Sequence, residues 1–239
     1  MENLQNIFLA IFLTALVAYL LGSVNSSILI TRLFGQKTDI RQMGSGNAGA
    51  TNVLRSVGRF AAALTFLCDF LKCVLAVVAG RAIFSYFFQI PAIDPMVIEQ
   101  TGAYIAGIVC ILGHIYPLYF GFRGGKGVVT SIAMIMIIDW RVSLIVWAAF
   151  FIAVFCSKMV SLGSVCGAGI YPFATFFLTY FYDYHSSATV PLSYVVVATI
   201  SSFIIGCIII IKHRANIKRI LDGTEKKVSL RSRKALPPE

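Results

Sequence analysis

The chain has 239 residues, 58% of them hydrophobic and 13% charged, against roughly 25% charged in a soluble globular protein. It is too poor in charge to cover a surface in water, so lipid is its natural solvent. The net charge of +10 does not point to nucleic acid, because the basic residues punctuate apolar runs as they do in membrane proteins. Cys68, Cys73, Cys110, Cys156, Cys166 and Cys207 lie inside apolar runs without a CxxC pair, and no His stands at zinc-ligand spacing. They read as small core residues, and no metal is expected. The start, MENLQN, lacks the basic segment of a cleavable signal peptide.

Runs of about 20 apolar residues span a bilayer as helices. In chain order the spans are expected at Ile7–Leu29, Phe60–Gly80, Gly102–Phe120, Val128–Ile138, Val142–Phe155, Val160–Phe181 and Val190–Ile211. Residues 128–155 divide because a single helix would place Asp139 and Arg141 at the bilayer centre, whereas a hairpin places Asp139-Trp140-Arg141 at the interface. The expected fold class is therefore an all-α integral membrane protein with seven transmembrane helices. Seven spans put 17 of the 20 Lys and Arg on one side, which is then cytoplasmic, with the N-terminus outside and the C-terminus inside. Residues 1–225 form one polytopic domain. Residues 226–239 are read as a basic, Pro-ended tail, disordered and close to anionic headgroups.

Three loops on the basic side carry the chemistry. The first, Asp39–Gly58, reads DIRQMGSGNAGATNVLRSVG. Gly44, Gly46 and Gly49 match GxGxxG, but no strand precedes them, so a dinucleotide site is rejected. A glycine turn feeding a helix still aims N–H groups at an anion. Ser45, Asn47, Thr51 and Asn52 add short polar groups there, and Arg55 a guanidinium that can fork a phosphate. The alternative is a plain turn in which Thr51 or Asn52 caps the second span.

The second loop, Gly113–Thr130, reads GHIYPLYFGFRGGKGVVT. Phe120 and Gly127 break the Walker A pattern, yet flexible glycines beside Lys126 still suit a phosphate. Arg123 is either a second phosphate cation or a positive-inside anchor. His114 is either a proton carrier or an interfacial histidine bonded to backbone. In the third loop, Lys212–Lys227, His213, Asn216, Ile217 and Ile220 share one helix face. Asp69 and Lys72, spaced i, i+3 within a span, form either a functional pair or a structural clamp.

Taken together, GSGNAGATNVLR (44–55), GHIYPLYFGFRGGKGV (113–128) and the His213–Arg219 run followed by GTE (223–225) resemble the PlsY-type, acyl-phosphate-dependent glycerol-3-phosphate acyltransferases of bacteria. The likeness extends to about Glu225 and includes Gly22-Ser23, Asp39-Ile40-Arg41 and Asp69 with Lys72. It implies seven helices in the bacterial cytoplasmic (inner) membrane. The implied reaction moves a fatty acyl group from acyl phosphate to the 1-position of glycerol 3-phosphate. The products are lysophosphatidic acid and phosphate, at the opening of phospholipid synthesis. Neither a cofactor nor an obligate protein partner is implied; the partners are the two substrates and membrane lipid.

The resemblance assigns substrate and phosphate contacts to Ser45, Asn47, Arg55, Lys126, His213 and Asn216, with Ser45, Lys126, His213 and Asn216 as the catalytic set. Thr51, Asn52, His114, Arg219 and Glu225 match further motif positions. The general base stays open among His213, His114 and a substrate phosphate. Two departures concern packing: Cys73 stands where the family often has Gly, and Asn25 where it often has Pro. A secondary transporter for small anions is the competing class. It would carry its ionisable residues at mid-membrane and show repeated halves, whereas here the polar motifs gather at one face.

Overall fold

A computed structural model describes residues 2–35, 37–88, 94–186 and 189–227. The described chain is helical: α1 (Glu2–Ser23), α2 (Ser26–Leu33), α3 (Ala50–Ser56), α4 (Arg59–Phe87), α5 (Pro95–Ile115), α6 (Val128–Ile138), α7 (Trp140–Ser157), α8 (Val160–Phe177), α9 (Leu192–Lys212) and α10 (Arg214–Leu221). Among the described residues, six helical stretches are long and apolar enough to cross a membrane: Leu4–Leu33, Arg59–Phe87, Pro95–Phe120, Trp140–Ser157, Val160–Tyr184 and Leu192–Lys212. α6, with 11 residues, is about 16 Å long at 1.5 Å per residue, short of a bilayer core of about 30 Å.

Polarity is distributed as lipid demands. Phe8, Phe12, Leu75, Phe155, Phe173 and Phe203 face outward, while Thr14, Ser23, Asn25, Ser27, Thr65 and Ser202 are buried. Glycines let helix backbones touch. A Cβ on Gly22 would strike the Cys110 carbonyl, and Gly80 and Gly102 sit against each other's carbonyls, which joins α1 and α4 to α5. Pro172, inside α8, leaves the Ala168 carbonyl without its helical donor. Gly206 of α9 packs against that carbonyl, 2.7 Å from where a Cβ would sit.

Several element boundaries differ from those expected. The first span breaks at Val24–Asn25, where the buried Asn25 side chain caps α2 by accepting from the Ile28 N–H at 3.2 Å. The second span does not start at Thr51 or Asn52. α3 is a separate helix capped by Gly49, and α4 begins only after Gly58, whose φ of 139° suits glycine. Asn52 has a different task, described below.

The break at Asp139 is where the hairpin reading put it. Asp139 is extended and caps α7, accepting from the Arg141 N–H at 2.9 Å. Arg141 forks Asp183 at 2.9 Å through both terminal nitrogens. Arg81 reaches the Ile137 carbonyl at 2.9 Å, and Gln100 reaches that of Ile138 at 3.2 Å. The α6–α7 corner is thus fastened to the ends of α4 and α5 and, through Asp183, to the π-helical stretch Leu178–Tyr184 that follows α8, away from the three motif loops. Residues 228–239, most of the expected tail, lie outside the described residues.

Candidate active site

The motif loops meet at one end of the bundle because each is tied to the next. In the first loop Gly44 and Gly46 take positive φ (58° and 72°), which side chains with a Cβ rarely adopt. The buried Asn52 fixes that shape: its Oδ1 accepts from the Ser45 N–H at 2.9 Å, and its Nδ2 donates to the Ile40 and Met43 carbonyls at 3.1 and 2.9 Å. Arg41 ties the first loop to the second. Gripped by Asp39 at 2.9 Å, it donates to the Phe120 and Arg123 carbonyls at 2.7 and 3.2 Å. Its hydrogen bonds and charge hold the Asp39 carboxyl below the usual range despite burial.

The second loop folds back on the end of α5. Gly124 and Gly125 N–H groups donate to the Ile115 and His114 carbonyls at 3.1 and 3.2 Å. A Cβ on Gly125 would strike His114 Nε2 and stand 2.6 Å from the Ala48 carbonyl. Glycine is required there because ring, loop and first-loop backbone meet at that point.

The third loop supplies a relay. Lys126 Nζ donates to Asn216 Oδ1 at 2.5 Å, and Asn216 Nδ2 donates to Glu225 Oε1 at 2.8 Å. Glu225 also accepts from Arg219 Nε at 2.7 Å and from the Ser161 hydroxyl of α8 at 2.7 Å. Gly223, with φ of 68°, turns the chain so that Glu225 can fold back over α10. Burial pushes the Glu225 carboxyl up, but the bonds from Ser161, Asn216 and Arg219 outweigh it and hold it below its ordinary value.

Burial pulls the Lys126 ammonium down; Glu225 opposes this, and the nearby cations Arg219, Arg55 and Lys212 add to it, leaving a pKa of about 8. His213 is lowered to about 4, by burial first and then by Lys126, against the pull of the Ile209 carbonyl and Glu225. Its Nδ1 lies 2.8 Å from that carbonyl. A carbonyl only accepts, so Nδ1 carries the proton and Nε2 is left with a lone pair.

These groups line one cavity of about 780 Å³. Its polar end holds Ser45, Asn47, Thr51, Arg55, Lys126, Lys212, His213, Asn216, Arg219 and Glu225; its other limb, bounded by Ile135, Val146, Trp147, Phe150, Phe151 and Ala168, is apolar. An anionic head and a hydrocarbon tail on one molecule fit such a space.

A family model described as Glycerol-3-phosphate acyltransferase matches residues 12–223. The chain belongs to the glycerol-3-phosphate acyltransferase family. Relatives of that name from Thermoanaerobacter pseudethanolicus and Clostridioides difficile are 39% and 38% identical over 216 and 214 residues, covering 90% of this chain and 94% and 93% of theirs. Crystal structures of PlsY (YgiH), an integral membrane glycerol 3-phosphate acyltransferase, in glycerol 3-phosphate and lysophosphatidic acid forms, superimpose with TM-scores of 0.72 and 0.70. Each is 30% identical, covering 92% of this chain and 96% and 95% of theirs.

In this acyltransferase two expected contacts are placed differently. Asn52 borders the cavity but spends its three hydrogen bonds on loop backbone. Arg123 lies outside the lining, its side chain in solvent and its carbonyl held by Arg41. From sequence, Ser161 is not foreseen, Lys212 reads only as a cation of the third loop, and Asp69 with Lys72 reads as a pair without His114. Ser161 and Lys212 join the site, the latter also 4.9 Å over the Tyr116 ring, and Asp69, Lys72 and His114 form one cluster. The apolar limb is not foreseen either, since its residues look like any lipid-facing helix in sequence.

Proposed function

We propose that the acyl donor is acyl phosphate, that it lies with its phosphate among Arg55, Lys126 and Arg219 and its chain in the apolar limb, and that the site faces the cytoplasm. The acceptor follows from the family: the protein is an acyltransferase of glycerol 3-phosphate in phospholipid synthesis. The observation that carries the donor reading is a single cavity joining Arg55, Lys126 and Arg219 to a hydrocarbon-lined limb. An acyl phosphate is already activated, so charge placement and orientation suffice for catalysis.

In this reading the C1 hydroxyl of glycerol 3-phosphate attacks the acyl carbonyl. A C–O ester bond forms, the bond from carbonyl carbon to phosphate oxygen breaks, and phosphate leaves. His213 Nε2 accepts a hydrogen bond from the attacking hydroxyl and orients it. With a pKa of about 4 it is too weak to keep the proton, whereas a phosphate with a second pKa of about 6 is a better destination. The hydroxyl proton therefore passes to a substrate phosphate oxygen. Lys126 and Arg55 balance charge on the leaving group; Ser45 and Asn47 add hydrogen bonds to phosphate oxygens.

The membrane arrangement proposed is seven crossings in the bacterial inner membrane, N-terminus outside. It is supported by the Lys and Arg excess on the motif face and by the course of α6. That helix starts at Val128 beside the cavity and ends at carbonyls bonded to Arg81 and Gln100. Ala133 and Met134 of α6 are fully buried, and a helix shielded by protein need not match the full bilayer thickness.

The donor test uses purified protein in detergent with glycerol 3-phosphate and either acyl phosphate or acyl-CoA. Equimolar lysophosphatidic acid and phosphate from the first donor and none from the second is expected. Equal rates with acyl-CoA would reject the donor assignment.

A further inference from the structure

The cluster beneath the glycine loop makes the two site histidines chemical opposites. Lys72 Nζ, buried, donates to the Gly22 and Val24 carbonyls at 3.1 and 2.6 Å, lies 3.0 Å from Asp69 Oδ1 and 3.0 Å from His114 Nδ1. An ammonium has only protons to offer. Nδ1 also faces Asp69 Oδ1, but at 3.6 Å, beyond hydrogen-bond range, so the nearer ammonium decides: Nδ1 presents a lone pair, and the single proton of a neutral imidazole sits on Nε2. Asp69 balances the Lys72 charge, so the cluster is neutral overall as a membrane helix requires. Nε2 lies against Gly125, at the spot a Cβ on that glycine would occupy, and both His114 and Gly125 border the cavity.

We infer that His114 is a neutral hydrogen-bond donor, through Nε2–H, to the carbonyl oxygen that gains charge during acyl transfer, with Lys72 as the positioning residue that fixes its tautomer. The inference rests on the acyl-transfer reading of the cavity. Cations already surround the phosphate end: Arg55, Lys126, Lys212 and Arg219. A neutral donor held rigidly on a buried ring adds little to a resident phosphate, but stabilises an oxygen whose charge appears only in the transition state. His213, with its proton on Nδ1 and its lone pair on Nε2, accepts from the nucleophile while His114 donates to the electrophile. His114 is thereby removed from the list of bases.

Two experiments test this. Nitrogen-15 NMR of histidine-labelled full-length protein in micelles reads the tautomers directly and independently of any activity. The resonances lost in His114→Gln are expected to show a protonated Nε2 and a bare Nδ1, and those lost in His213→Gln the reverse. An Nδ1–H tautomer or an imidazolium at His114 at neutral pH overturns the inference even if the acyltransferase reading stands.

The second experiment is kinetic, with thermal midpoint as a folding control. A glutamine amide nitrogen reaches toward the place of Nε2, and that of asparagine toward Nδ1. His114→Leu and His114→Asn should lower kcat by about 10²-fold or more with KM for glycerol 3-phosphate little changed. His114→Gln should recover a tenfold or greater part of that loss, and the ratio of wild-type to His114→Gln rates should stay flat from pH 6 to 8. Equal loss in all three variants, a rise in KM alone, or a ratio changing steeply with pH would each refute the donor role.

Discussion

At the residue scale, Lys126 is the group on which the polar end turns. It heads the relay through Asn216 to Glu225, and in the proposed reaction it is also the cation that meets phosphate. Lys126→Ala should abolish transfer in detergent-solubilised protein while the thermal midpoint is preserved; near-normal activity would remove Lys126 from the site. Its ammonium is protonated below about pH 8 and neutral above. The value of kcat/KM for glycerol 3-phosphate, which reports groups of the free enzyme, should therefore decline as pH rises through about 8. Lys126→Arg should carry that decline to higher pH, since a guanidinium stays charged. His213, neutral above about 4, contributes no limb between pH 6 and 8. Glu225→Gln keeps a hydrogen-bonding shape but loses the charge that Arg219 holds. Charge-assisted bonds are worth about 1.5–3 kcal/mol, so kcat/KM should fall by about 10- to 100-fold.

At the element scale, the site depends on short segments that have no stability of their own. α3 has seven residues and α10 eight, too few to persist alone in water, so the loop bonds must hold them. Asn52→Ala removes three hydrogen bonds from buried or half-buried backbone groups. At about 1 kcal/mol each the folded loop loses about 3 kcal/mol, and proteolysis near residue 45 should accelerate before the bundle melts. The α6–α7 corner makes a contrasting case. Asp139→Ala deletes an N-cap, a loss of about 1–2 kcal/mol, and one of the two carboxylates on Arg141. A lowered thermal midpoint with nearly normal kcat is expected, because that corner lies at the end of the bundle away from the cavity's polar end.

At the scale of the whole molecule, the proposal needs the second and third motif loops on one side of the membrane. Single cysteines placed at positions 123 and 218 in a cysteine-free background should be labelled by an impermeant reagent from the same side, and a cysteine at position 4 from the other. Labelling of positions 123 and 218 from opposite sides would dismantle the site altogether.

Length and hydropathy by themselves settled the solvent, the helical class and the corner at Asp139, because lipid tolerates few alternatives to an apolar helix. The three motif loops were legible for a related reason: glycine and short polar residues between spans have no packing role to play in lipid. The sequence could not tell Asn52, which shapes the loop, from Ser45, which borders the cavity, since both are short polar side chains in one glycine-rich turn. Nor could it join His114 to Lys72 across 42 positions, fold Glu225 back onto Ser161, or choose the tautomer of either histidine. Hydrogen-bond direction and proximity between distant residues come from packing alone, because they depend on which atoms the bundle brings within about 3 Å.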